Sequence, residues 1–202
     1  MGLPARKMEK TYTYADYCTW PDDERWELIA GVAWNMSPAP SSYHQLVTGS
    51  LFNAIYNQLQ NSDCTVIVAP FDVLLPDFAG QEEEEVINVV QPDITVICEP
   101  KKITPRGCYG APDWVIEILS PYTSKKDLRE KFDLYEKHGI REYWVVDPGN
   151  RYVHVYTLDK NGEYGEPEIF VEQGEIKSTV CEEFSIELNA IFPETDSSPP
   201  PR

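Results

Sequence analysis

The stretch Trp114-Val115-Ile116-Glu117-Ile118-Leu119 is apolar at every position but one. It is too short for an ordinary helix and rich in β-branched residues, so it reads as a strand. Apolar side chains at both parities imply burial on both faces, the signature of a central strand covered by helices. Glu117 breaks that pattern. A carboxylate inside such a strand is costly unless it is paired or holds a metal.

Reading outward from this strand extends the fold. Upstream, Val89–Cys98 is a second strand, whose apolar half opens on Pro92-Asp93. Further upstream, Thr65–Leu75 reads as one strand bent at Pro70. A helix over Tyr43–Asn61 precedes it, with Val47, Leu51 and Ile55 at helical spacing and His44 inside the same arc. Trp26–Ile29 and Val32–Met36 flank Ala30-Gly31 as a tight hairpin. A short helix is expected around Tyr14–Trp20. Downstream of Glu117, Ser120–Ser124 is a turn and cap. The helix that follows runs to about His138 and stops at Gly139. Tyr143–Val146 is the next strand, and Tyr152–Leu158 returns beside it.

The order after the hairpin is α, β, β, β, α, β. The expected class is α/β or α+β, with a mixed central sheet flanked by helices, an N-terminal hairpin and extra C-terminal strands. Residues 1–192 read as a single domain with its core over about 26–158, and the Pro/Ser-rich residues 193–202 as a disordered tail.

Composition excludes several classes. No stretch approaches the roughly 18 apolar residues of a membrane span, and the N-terminal residues lack the apolar run of a signal peptide. The chain therefore reads as cytoplasmic. Its five cysteines (Cys18, Cys64, Cys98, Cys108 and Cys181) are scattered with no close pair, so free thiols are expected. There is no phosphate-binding glycine loop, nucleophile elbow or H-E-x-x-H motif. The net charge of −17 argues against a generic nucleic-acid coat. Lys101–Arg141 departs from this background, with nine basic and six acidic side chains. Within it, Lys101, Lys102, Arg106 and Lys125 are candidate nucleic-acid contacts. The run Glu82–Glu85 is expected to be a solvated loop.

Asp93 and Glu117, on neighbouring strands, would offer a pair of hard oxygen ligands suited to Mg²⁺ or Mn²⁺. The alternative for Glu117 is a carboxylate paired with a lysine or a helix N-terminus. The helix after Glu117 supplies such a lysine. With Leu128 at zero, Phe132 falls at about 40°, Tyr135 at about 340° and Lys131 at about 300°. Lys131 thus lies in the apolar stripe, either snorkelling along it or reaching the carboxylates.

Pro92-Asp93, Pro112-Asp113-Trp114-Val115-Ile116-Glu117-Ile118-Leu119-Ser120-Pro121, Lys131, Tyr135 and Gly139–Pro148 together resemble the Uma-two family, a bacterial branch of the PD-(D/E)XK nuclease superfamily. The resemblance covers roughly Trp26 to Leu158. It implies a restriction-endonuclease-like core and a metal-dependent endonuclease acting on nucleic acid, with DNA the first candidate, often as a homodimer. Asp93 then takes the place of the PD aspartate and Glu117 that of the second acid. The superfamily pattern asks for lysine two residues later, where Leu119 stands. The resemblance implies that a lysine of the following helix substitutes, and Lys131 is the candidate, with Lys125 second. Glu27 and His44 match positions the family tends to keep. Glu27 is either site support or a solvated hairpin acid, and His44 either orients substrate or is a satisfied core histidine. The other reading is a nuclease fold that binds without cutting, which the net charge and the absent motif lysine favour.

Overall fold

The computed structural model describes residues 6–7, 10–21, 23–36, 40–120 and 126–194. A hairpin of β1 (Trp26–Ile29) and β2 (Val32–Asn35) precedes the helix α1 (Ser42–Leu59), then β3 (Thr65–Val68) and the two-residue β4 (Val73–Leu74). Next come β5 (Val89–Val90), β6 (Ile94–Ile97), β7 (Trp114–Ile118), the helix α2 (Lys126–Lys137), β8 (Glu142–Asp147), β9 (Tyr152–Thr157) and β10 (Glu168–Val171).

The main sheet has six strands in the order β10-β9-β8-β7-β6-β3. Only β7 and β8 are parallel, which is where α2 makes the crossover. α1, β3, β6, β7, α2 and β8 give the α, β, β, β, α, β order expected from sequence. The fold is a mixed α+β, restriction-endonuclease-like architecture.

Two strands expected to be continuous are divided between sheets. β3 lies in the main sheet, whereas β4, after Pro70, lies in a second sheet with β1, β2 and β5. β5 and β6 divide in the same way, at Gln91-Pro92-Asp93. Pro92 has no N–H for a ladder, which makes this a natural place for a strand to leave one sheet for another.

The main sheet is covered on both faces. Trp114, Ile116 and Ile118 of β7 join Val47, Leu51, Ile55 and Leu59 of α1 in one cluster, closed by Phe184, Ile186 and Leu188 from the C-terminal residues. Val115 packs on the other face with Leu134 and Tyr135 of α2 and Tyr143 and Val145 of β8. Burying each such large apolar side chain contributes roughly 1.5–3 kcal/mol. Strand alternation puts Glu117 on the same face as Val115, towards α2.

Local sequence sets the ends of these elements. Ser41 caps α1, its Oγ accepting from the His44 N–H at 3.2 Å. α2 ends in a Schellman motif, with Gly139 at φ +74° and the Ile140 N–H donating to the Tyr135 carbonyl at 3.1 Å. The β1–β2 turn has positive φ at Ala30 (50°) and Gly31 (71°), as a tight two-residue hairpin requires.

The expectation of five free thiols is corrected. Cys64 and Cys98 form a disulfide, and Cys18, Cys108 and Cys181 are free. The two residues are cross-strand neighbours one step beyond the Thr65↔Ile97 pair, which only the β3–β6 register reveals. No described helix is long and apolar enough to cross a membrane. Lys125 and residues 195–202 of the expected tail lie outside the described residues.

Candidate active site

The β6–β7 register pairs Ile94 with Ile116, so the next step sets Asp93 across from Glu117. Residues directly opposite in an antiparallel pair share a face with about 4.5–5.5 Å between Cβ atoms. The Asp93 carboxylate turns back onto the ladder, its Oδ2 accepting from the Ile118 N–H at 2.8 Å. The two acids thus share one end of the main sheet, where β6 begins and β7 ends.

α2 brings a cation to this pair. The Lys131 Nζ lies 2.8 Å from the Glu117 Oε1 and 2.9 Å from the Glu27 Oε1. Its side chain is 8% exposed, so the inward direction read from the helical angles holds and the ammonium reaches the carboxylates. One turn further along, the Tyr135 hydroxyl donates to the same Glu117 oxygen at 2.6 Å. Sequence reading placed Tyr135 in the stripe and assigned it no role.

Glu27, on the hairpin, is buried. Besides Lys131, it accepts the Gln91 backbone N–H at 2.8 Å. The Gln91 side chain in turn donates to Asp72 at 2.8 Å, so Gln91 links Asp72 to Glu27 through two hydrogen bonds. Gln91 was not singled out from sequence, and nothing in its local pattern marks it.

His44 approaches from α1, on the opposite face of the sheet. Its Nε2 lies 3.0 Å from the Ile118 carbonyl and 3.3 Å from the Asp93 Oδ2. It is therefore a buried histidine in contact with one member of the acid pair.

The charges do not balance. Among the described residues, Glu27, Asp93 and Glu117 are three carboxylates gathered against Lys131, with His44 in contact with Asp93 as a further group able to carry positive charge. Burial pushes the Glu117 pKa up to about 7; Lys131 opposes this, and the Asp93 and Glu27 charges add to it. For His44, burial disfavours the cation, but the hydrogen bond and charge of Asp93 outweigh it and raise the pKa. Burial likewise works against the Lys131 ammonium, and the Glu117 and Glu27 charges more than offset it, so Lys131 stays protonated. Each shift moves toward positive charge, the direction expected where negative charge is in excess. The hard oxygen donors of Asp93 and Glu117 fit Mg²⁺ or Mn²⁺, and a divalent cation would supply the missing charge.

The side chains of the basic loop are occupied by ion pairs within the protein. Lys101 and Lys102 both pair with Glu99 at 2.9 Å, and Lys102 also donates to the Ala111 carbonyl. Arg106 sits against Glu83 and Glu84 of the acidic run, at 3.7 and 3.3 Å. Asp113 is a structural link, accepting from the Cys98 N–H and from Arg141, both at 2.6 Å. Lys101, Lys102, Arg106 and Arg141 are thus each engaged in local ion pairs.

Comparison with known proteins bears on the family and the fold. Residues 14–190 match the model of the Uma2 family, described as "Putative restriction endonuclease". The uncharacterized protein slr1290 of Synechocystis is 23% identical over 152 residues, covering 74% of this chain and 75% of that protein. The crystal structure of a putative nuclease belonging to DUF820, from Anabaena variabilis, superposes with a TM-score of 0.69 at 21% identity. That match covers 89% of this chain and 97% of the other, and it shows the shared fold.

Proposed function

This chain belongs to the Uma2 family of putative restriction endonucleases, and on that premise we propose that it is a metal-dependent endonuclease hydrolysing phosphodiester bonds of nucleic acid, with DNA the first candidate. The observation that carries the reading is the Lys131 Nζ at 2.8 Å from Glu117, whose strand neighbour is Asp93. Asp93 and Glu117 would hold Mg²⁺ or Mn²⁺. Such a cation, when bound, supplies a water of lowered pKa and neutralises phosphate charge.

The remaining roles belong to the chain itself. Lys131 stands in for the lysine expected where Leu119 stands, and its ammonium would stabilise charge building on the phosphoryl oxygens. Tyr135 holds Glu117 through Oε1, fixing the rotamer of a carboxylate that must present its other oxygen. Glu27 positions Lys131 from the hairpin side. His44 steadies Asp93 from α1. A homodimer, setting two such sites against two strands, belongs to the same proposal.

The test is cleavage of single- and double-stranded DNA and RNA by purified protein with Mg²⁺ or Mn²⁺. Expected is cleavage that EDTA abolishes and that Asp93→Ala and Glu117→Ala each remove. Cleavage that survives Asp93→Ala would overturn the assignment. A second reading, a nuclease fold that binds without cutting, draws on one observation: Lys131 is already bound from both sides, by Glu27 and Glu117. Metal binding without cleavage of any substrate would favour it.

A further inference from the structure

The far end of β6 carries a different cluster. Asp93 precedes this strand and Cys98 follows it, a separation of about 16 Å at roughly 3.3 Å per residue. There the sulfurs of Cys64, Cys98 and Cys181 all lie within 4.8 Å of one another. Cys64 and Cys98 come from adjacent strands and are half-buried, and Cys181, from the C-terminal residues, is buried and free. Three cysteines separated by 34 and 83 positions in sequence meet at one point.

Two buried carboxylates hold this meeting in place. Asp113 accepts the Cys98 backbone N–H at 2.6 Å. Glu142, with no exposed surface, gathers the turn that leads into Cys181: it accepts from the Thr179 N–H at 2.6 Å, the Thr179 hydroxyl at 2.7 Å, the Ser178 hydroxyl at 3.1 Å and the Val180 N–H at 3.2 Å. The Cys181 N–H then bonds the Ser178 Oγ at 3.1 Å. The backbone at Cys98 and at Cys181 is thus held by the fold and not by the disulfide alone.

We propose that Cys64, Cys98 and Cys181 form a soft-metal site in the reduced chain, a three-thiolate centre for Zn²⁺ or a similar thiophilic cation, and that the Cys64–Cys98 disulfide is its oxidised, metal-excluding state. Zn–S bonds of about 2.3 Å at the tetrahedral angle set two sulfurs about 3.8 Å apart. The observed spacing needs a shift of about an ångström at Cys181, and opening of the disulfide supplies the rest. A thiol reductant delivers two electrons and two protons to the disulfide, giving two thiols. Binding of M²⁺ then releases the three thiol protons and forms three metal–sulfur bonds. Thiolates select such cations over Mg²⁺, so this site and the carboxylate site take different metals. Asp113 and Glu142 brace the backbone that carries Cys98 and the turn into Cys181.

The proposal is independent of the nuclease reading. Full-length protein, reduced and stripped with a chelator under argon, is titrated with Cd²⁺ while the sulfur-to-cadmium charge-transfer absorption is followed. Expected is a band saturating at one equivalent, absent from the unreduced protein, with Cd²⁺ shielding three thiols from a thiol-modifying reagent. Asp93→Ala should leave the band intact. Cys181→Ser should weaken binding by more than the roughly 10–100-fold cost of losing a supporting residue. Cys64→Ser, at a half-exposed position, provides the same test if the buried variant fails to fold. A reduced protein that gives no band, or a Cys181→Ser protein that binds Cd²⁺ as tightly as the parent, would overturn the proposal and leave a structural disulfide beside a bystander thiol.

Discussion

Lys131 is one positive charge shared by two buried carboxylates, with a third, Asp93, across the ladder from Glu117. Removing one partner from a buried ion pair typically costs about 3–5 kcal/mol, because the remaining charge is left uncompensated. Lys131→Met is therefore expected to destabilise the metal-free protein by about that much at pH 8, and by less at acid pH, where Glu117 takes up a proton. Urea unfolding at both pH values checks this. Glu117 makes its own prediction. Its folded pKa, about 7, lies above the ordinary value of 4.5. A raised folded pKa contributes stability that is complete below the unfolded value and is lost as pH rises through the folded one. Metal-free protein should lose this contribution between about pH 4.5 and 7, and Glu117→Gln, with no proton to release, should flatten that part of the profile. An identical pH profile for parent and variant would contradict the assigned shift.

Two glycines at element ends separate backbone strain from crowding. Gly139 ends α2 at φ +74° with open space around a notional Cβ, so Gly139→Ala should cost only the left-handed backbone penalty, about 1 kcal/mol. At Gly31, φ is +71° and an added Cβ would collide with the Thr11 Cγ2. Gly31→Ala should cost more, and it should weaken metal binding too, because this hairpin carries Glu27. Thermal melts of the two variants give the comparison. The same elements show what sequence could convey. The inward Lys131 was legible because it rests on a local periodicity, 3.6 along a helix, whereas the pairing of Asp93 with Glu117 rests on the β6–β7 register and was only one of two readings open to Glu117. The exchange of strands between sheets at Pro70 and Pro92 was not legible, since each half is a good strand and only tertiary pairing separates them. Gln91, and Glu142 as the holder of Ser178–Val180, were also hidden. Their partners are long-range backbone groups, and no residue pattern announces those.

Across the molecule, the disulfide and the charge distribution have the widest consequences. The Cys64–Cys98 bridge spans 34 positions. On a chain-entropy basis a loop of that size is worth about 3–4 kcal/mol, so mild reduction should lower the unfolding midpoint measurably in the absence of thiophilic metal. Sequence offered no local signal for it, because the bridge depends on the β3–β6 register. The net charge of −17 and the local pairing of Lys101, Lys102 and Arg106 imply few free phosphate contacts. Nucleic-acid binding should therefore show a shallow salt dependence, with a log–log slope shallower than about −4, and should strengthen when a divalent metal offsets the site's acids.

Whether Asp93 and Glu117 together hold one metal is decided by calorimetric titration of Mn²⁺ into the parent protein, Asp93→Ala and Glu117→Ala under non-reducing conditions that keep the cysteine cluster oxidised. The predicted result is a single site in the parent that both substitutions abolish while the folded state persists. Mn²⁺ binding of equal strength in Asp93→Ala, or no binding in the parent, would contradict it.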